Sequence, residues 1–231
     1  EEFLDAALLD RYQLVVLPNP AALAEAARKP LQDYVARGGT LLSDPYLCGF
    51  NADLSLPREV PGGGFAEVCG GTEIDLVQAG GRTLELDTPA GRLKVSGSHF
   101  QAWWQPAPGA EVLASYPDGR AALLSNRWGA GRAILSGVNL GLCCSPKQGV
   151  GDDFTREGHG QRVADAAWLV LELAREAGVV PSLVTPPEIR ASLLSAPDGQ
   201  HLLIALNLAD APRAGEIVLP PGEWSCAYDL L

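Results

Sequence analysis

Three pieces of sequence, read in order, decide the fold: Tyr12-Gln13-Leu14-Val15-Val16-Leu17-Pro18, then Leu31, Tyr34 and Val35, then Gly38-Gly39-Thr40-Leu41-Leu42-Ser43. Leu14 to Leu17 is apolar at every position. A strand with one wet face alternates, whereas an uninterrupted apolar run suits a strand covered by helices on both sides. Asn19-Pro20 sets a capping side chain before a proline, which predicts a helix from there through Ala27. Pro30 lacks a donor N–H and predicts a restart. Leu31, Tyr34 and Val35 then share one helical face. Gly38-Gly39 ends the helix, and Thr40 to Ser43 reads as the next buried strand. Strand, helix and strand make a βαβ unit, which crosses over right-handed. The expected class is α/β, built on a parallel sheet.

Outward from this unit the patterns change. Phe3, Leu4, Ala7 and Leu8 have helical spacing within residues 1–11. Residues 44–72 are rich in Gly and Pro and show no period; the run Pro61-Gly62-Gly63-Gly64 lacks the Gly-Lys-Ser ending of a phosphate loop. Short strands are expected at Thr72–Val77, Thr83–Leu86, Leu93–Val95, Glu111–Tyr116 and Ala121–Ser125, with a hairpin turn at Asp118-Gly119. Trp128-Gly129-Ala130-Gly131-Arg132 is a tight turn before a buried strand, Ala133–Val138. A Gly/Asp loop over 145–160 precedes a helix, Gln161–Ala177, whose apolar face is read as Val163, Ala166, Ala167, Val170, Leu171 and Ala174, with Trp168 in the core and Gly178 as its cap. Pro186-Pro187 is a linker. Strands follow at Ile189–Ser195, His201–Leu208, Glu216–Leu219 and Trp224–Tyr228, with a turn at Pro197-Asp198-Gly199. The expected domains are 1–183 and a small antiparallel β domain over 187–231.

Composition sets the function classes. The chain has 231 residues, 47% of them apolar, which is globular material. Its 17 basic and 28 acidic side chains give a net charge of −11. That argues against nucleic acid, whose phosphates are neutralised by Lys and Arg. No apolar run approaches the roughly 18 residues of a membrane span. The five cysteines, Cys48, Cys69, Cys143, Cys144 and Cys226, contain no C-x-x-C pair, so no zinc site is indicated. With no export signal visible, they point to a reducing, cytoplasmic compartment. The chain holds no Met and opens at Glu1. The expectation is a piece of something longer, with the small β domain cut short.

These stretches resemble a known family. Tyr12 to Pro18, Leu31 to Val35 and Gly38 to Leu42 look like the trimerisation domain of family 42 glycoside hydrolases, the β-galactosidases. The likeness continues through Trp128 to Gly137, then Ile189-Arg190-Ala191, Leu202 to Asn207, and Val218-Leu219-Pro220 with Trp224. The resemblance implies an amidotransferase-like (flavodoxin-like) parallel sheet with helices on both faces, followed by a small antiparallel β domain. It implies that the N-terminal strand of that sheet is missing before Glu1, that the chain self-associates as a trimer, and that a parent's (β/α)8 barrel carries the catalytic glutamates and takes the galactoside. No cofactor is implied.

The residues themselves leave other readings open. An amidotransferase presents a cysteine on a sharp turn after a strand, with a His to activate it. Here that strand runs into Ser43-Asp44-Pro45-Tyr46, and Cys48 comes late. Cys48 or Ser43, working with His159, would make the chain an amidase or hydrolase in its own right, although neither sits in a G-x-S-x-G-like context. His99, Asp152, Asp153 and His159 could converge as a loop site, and Asp152-Asp153 with Glu157 as an acid pair, although sequence neighbours do not face each other across a sugar ring. Trp103-Trp104 reads either as core or as an interface anchor or sugar platform, and in a strand the two point to opposite faces. A carbohydrate-binding module centred on this pair is the third reading.

Overall fold

The computed structural model describes residues 4–80, 82–96, 98–143, 159–180, 183, 185, 189–207, 211, 212 and 214–220; for residue 142 and residues 159–165 the backbone alone is described. The chain divides into two units, Glu1–Val179 and Val180–Leu231.

The first unit opens with a short helix, α1 (Ala6–Leu9), capped by Asp5, whose Oδ1 accepts the Leu8 N–H at 2.7 Å. Strand β1 (Leu14–Leu17), helix α2 (Glu25–Ala36) and strand β2 (Thr40–Ser43) form the expected βαβ unit, and β1 and β2 pair in parallel from Leu14–Thr40 to Leu17–Ser43. After a long loop come helix α3 (Phe65–Cys69) and strands β3 (Gly71–Gln78), β4 (Leu84–Thr88), β5 (Gly91–Val95), β6 (Phe100–Pro106), β7 (Glu111–Ser115), β8 (Ala121–Trp128) and β9 (Gly131–Ser136). Helices α4 (Leu140–Cys143) and α5 (His159–Glu176) complete the unit.

All nine strands join one sheet, ordered β1-β2-β9-β8-β7-β4-β5, with β6 and β3 branching from β8. The parallel expectation holds for β1, β2 and β9 only. Every other pairing is antiparallel, because β8 and β9 are joined by the tight Trp128–Gly131 turn and cannot run the same way. The result is an α/β fold with a mixed, mostly antiparallel sheet.

The apolar runs are explained by cover on both faces. Leu41, Leu124, Ala133 and Leu135 pack on one side with Leu31, Tyr34 and Val35 of α2 and Phe65 and Val68 of α3. Their strand neighbours Leu42, Leu123 and Ile134 pack on the other with Leu140 of α4 and Ala166, Leu169 and Leu173 of α5. Leu41, Leu42, Leu123, Leu124, Ile134 and Leu135 are fully buried, each worth about 1.5–3 kcal/mol in apolar transfer. The glycine pair has two distinct tasks. Gly38 takes φ +121°, and a Cβ on Gly39 would sit 2.2 Å from the Tyr34 ring. That ring places its hydroxyl against the Tyr12 and Thr40 carbonyls at 3.0 and 3.2 Å.

Several helix expectations are corrected. α2 starts at Glu25, not after Pro20, and runs unbroken through Pro30. Asn19 is not its cap; it sits at φ +48° in the loop after β1. The apolar face of α5 is rotated: Ala166, Leu169 and Leu173 are buried, whereas Leu171 is 51% and Trp168 40% exposed. Its end is as expected, with Gly178 at φ +81° and the Val179 N–H returning to Ala174 O.

In the second unit, strands β10 (Ile189–Ser195) and β11 (His201–Asn207) form an antiparallel hairpin around the Pro197-Asp198-Gly199 turn. Residues 216–219 form no strand. The Trp224–Tyr228 expectation lies outside the described residues.

Candidate functional site at the carboxyl edge of the parallel strands

In sheets with parallel strands, ligands and reactive groups gather outside the carboxyl ends of those strands. Here that edge is made by the ends of β1, β2 and β9. β2 delivers Ser43 and Asp44 there, both buried, at 0% and 1% exposure. Asp44 Oδ1 accepts the N–H of Leu140 at 2.9 Å, and Oδ2 accepts that of Asn19 at 3.3 Å. Gly141 N–H and the Asn139 side chain also favour the charged carboxylate. Burial outweighs these donors and pushes the Asp44 carboxyl up to about 6. Asn139 Oδ1 in turn accepts the Phe100 N–H at 3.0 Å, while its Nδ2 makes no hydrogen bond of good geometry. Ser98 Oγ accepts the Asn139 N–H at 2.9 Å. This network ties the loops after β1, β2 and β9 to the start of β6.

A second acid reaches the same loop. The Glu73 carboxylate, on β3, accepts the N–H of Tyr46, and its Oε2 is buried without a hydrogen-bond partner. Burial raises it to about 7, with the charge of Asp75 adding to the rise. Tyr46 and Cys48 both hold left-handed backbone, at φ +69° and +49°. Strained positions of this kind mark reactive turns in many enzymes, so the side chains on the turn matter. Tyr46, three residues past the end of β2, carries a phenol ring that stacks edge-on with Phe50 at 5.3 Å.

Neither expected nucleophile is set up to react. Ser43 donates its hydroxyl to the carbonyl of Asp44 at 2.9 Å. Cys48 is 1% exposed within the cluster that holds Leu47, Phe65 and Cys69, and its neighbour thiol Cys69 is pushed far upward by burial. A thiol enclosed in this way serves packing. His99 is exposed, in the turn before β6. Asp152, Asp153 and Glu157 lie outside the described residues. His159 opens α5, and its side chain is not described. A hydroxyl–imidazole pair does occur in the other unit, where Ser195 Oγ lies 2.8 Å from His201 Nδ1. The two are directly opposite in the hairpin register and both are exposed.

The tryptophans obey the alternation rule. Trp104 enters the cluster under α2 and α3 and donates Nε1–H to Ala122 O at 3.2 Å. Trp103 enters the opposite cluster, packs edge-on against Tyr116 at 6.1 Å, and carries the Arg120 guanidinium 3.8 Å above its ring. Trp103 is 6% and Trp104 1% exposed, and both indoles are enclosed by this chain's own residues. Among the described residues no group of three or more His, Cys, Asp or Glu side chains is placed to hold a metal ion. No helix among them is long and apolar enough to cross a membrane.

Residues 5–147, more than half of the chain, match the family model described as "Beta-galactosidase trimerisation domain". The chain belongs to this family. Solved structures agree on the fold of this trimerisation domain. The β-galactosidase from Bacillus circulans sp. alkalophilus superposes with a TM-score of 0.61 at 19% identity, over 80% of this chain and 25% of that one. A catalytic mutant of Gan42B, a GH42 β-galactosidase from G. stearothermophilus, gives 0.66 at 17%, over 90% and 28%. The β-galactosidase from the Antarctic haloarchaeon Halorubrum lacusprofundi gives 0.58 at 18%, over 90% and 31%. The chain thus spans about a quarter to a third of the length of these proteins. The search of curated proteins returned no match. No (β/α)8 barrel lies among the described residues.

Asp44, Glu73 and Asn139 were not singled out from the sequence. Asp44 carried a usable signal: a lone acid directly after a buried strand stands at a sheet's carboxyl edge. Glu73 carried none, since its partner Tyr46 is brought to it only by the path of the 44–62 loop.

Proposed function

We propose that this chain is the self-association region of a β-galactosidase-type glycoside hydrolase and holds three copies together. The observation that carries the reading is the trimerisation-domain match over residues 5–147. Its partner within the longer protein is a catalytic barrel, and the galactoside meets that barrel. The covered nucleophile turn supports a scaffold role, with Ser43 bonded to a carbonyl and Cys48 in the core. The parallel trio β1-β2-β9, with α2 and α5 on opposite faces, supports descent from an amidotransferase-like (flavodoxin-like) sheet to which antiparallel strands were added. Fold likeness alone does not transmit chemistry. A cytoplasmic location is part of the same proposal. It is supported by the buried Cys69 thiol, which stands outside any disulfide.

Sedimentation velocity on this chain and on the barrel-containing parent tests the reading. The expected result is a species of three times the chain mass in each case. A parent that sediments as a monomer overturns it.

A further inference from the structure

Large exposed apolar side chains gather at three places. Leu54 and Leu56 project from the loop after β2 at 73% and 70% exposure. Trp168 and Leu171 stand on the outer side of α5, and Leu194, Leu202, Ile204 and Leu206 on one face of the hairpin. Within residues 5–147, the span of the trimerisation match, the other large exposed apolar side chains are Tyr12, Val16, Ile74 and Val112, and the loop pair is the most exposed of all.

The loop is built to hold its leucines out. Gly62 N–H to Leu47 O, at 3.1 Å, closes its base. Asn51 N–H donates to Ser55 O at 2.9 Å, and Leu54 N–H donates to Asn51 O at 3.0 Å. Asn51 Nδ2 donates to Ser55 Oγ at 3.0 Å, and Asp53 Oδ1 accepts from both the Ser55 N–H and its hydroxyl, at 3.0 and 2.6 Å. This frame holds Leu54 at φ +64°, the left-handed region that a branched, bulky side chain avoids. Backbone strain and wet apolar surface both raise the free energy of the isolated chain. A contact that buries the two side chains offsets both, and a loop already fixed in shape loses little entropy on docking.

We propose that Leu54 and Leu56 are the apolar anchor through which one copy of this chain docks onto the next. This rests on the self-association reading above. A closed ring of three repeats one contact three times, so a single anchor per copy is used at every interface.

The test is sedimentation velocity on the full chain, with thermal melting run in parallel. The wild type should be trimeric. Leu54→Asp with Leu56→Asp should weaken association about tenfold or more with an unchanged melting temperature. Leu54→Gly relieves the left-handed strain, so it should melt at or above the wild-type temperature and still associate less tightly. Trp168→Asp with Leu171→Asp should remain trimeric. A monomeric wild type overturns both this proposal and the self-association reading. A trimeric wild type whose Leu54→Asp/Leu56→Asp and Leu54→Gly variants associate undiminished overturns the anchor alone, as does dissociation seen only in the α5 variant.

Discussion

The Asp44 carboxylate accepts the main-chain N–H of Leu140 at 2.9 Å across 96 positions of sequence. One short side chain thereby joins the end of the second strand to the turn that follows the ninth. A third loop is drawn in through the N–H of Asn19. The groups that hold this acid are backbone and amide donors, which is why burial still sets its titration.

The pH dependence follows with a definite sign. Asp44 titrates near 3.8 when unfolded and at about 6 when folded, so the native state binds the proton more tightly. Its contribution to stability is complete below about pH 4 and is lost as pH rises through about 6. Acting alone, it amounts to roughly 3 kcal/mol. Asp44→Asn should remove this part of the slope. Urea unfolding across that window checks it, and a variant slope equal to that of the wild type contradicts it.

Glu73 acts in the same direction at higher pH. Raised from 4.5 to about 7, its share of stability is present below about pH 4.5 and lost through pH 7. Glu73→Gln should therefore raise stability at pH 8, by about 1 kcal/mol once partial solvation is allowed for. The same variant should show no gain at pH 4. Paired melting curves at the two pH values decide the matter.

Gly131 sits where the β8–β9 turn meets the end of α2. An added Cβ would lie 2.1 Å from Val35 O and 2.4 Å from Gly39 O, both backbone atoms that cannot swing aside. Gly131→Ala should cost about 3 kcal/mol or more. Gly109, whose Cβ would meet nothing within 4 Å, is the contrast. Its Ala variant should lose only the smaller cost of positive φ, about 1 kcal/mol. Equal losses in the two variants would refute the packing account.

Arg120 covers the Trp103 ring while its guanidinium pairs with Asp118 at 2.6 Å. Arg120→Ala should lower stability slightly and shift tryptophan emission to the red as water reaches the indole. Emission unchanged from wild type would show that the ring is sealed by other groups.

What could be read from the sequence depended on the range of the forces involved. Thr40–Ser43 was plain because the Leu41-Leu42 pair and the glycine pair before the strand are local facts. The start of α2 was misplaced because Asn19, a good cap by type, gives its N–H to an acid 25 positions away. The antiparallel majority of the sheet was hidden for a related reason. Alternation along β3 to β7 shows strands, but it does not show that they extend the same sheet as β1 and β2. Trp103 and Trp104 were rightly expected to face opposite ways. What the sequence did not show was that both faces are covered. Glu73 was invisible because its environment is supplied by a loop whose course nothing local dictates.

Strand β8 bonds to β7 along one side, and along the other to β9 and then, at Ala121, to β6. Every branch of the sheet meets there. Peeling residues 121–128 away would cut β7, β4 and β5 from the parallel trio in one event and leave β6 held only by the Gln101–Val138 bridge and the Ala102 N–H bond to Gly137 O. The unit should yield all at once, and its slowest deuterium uptake should map to this single strand.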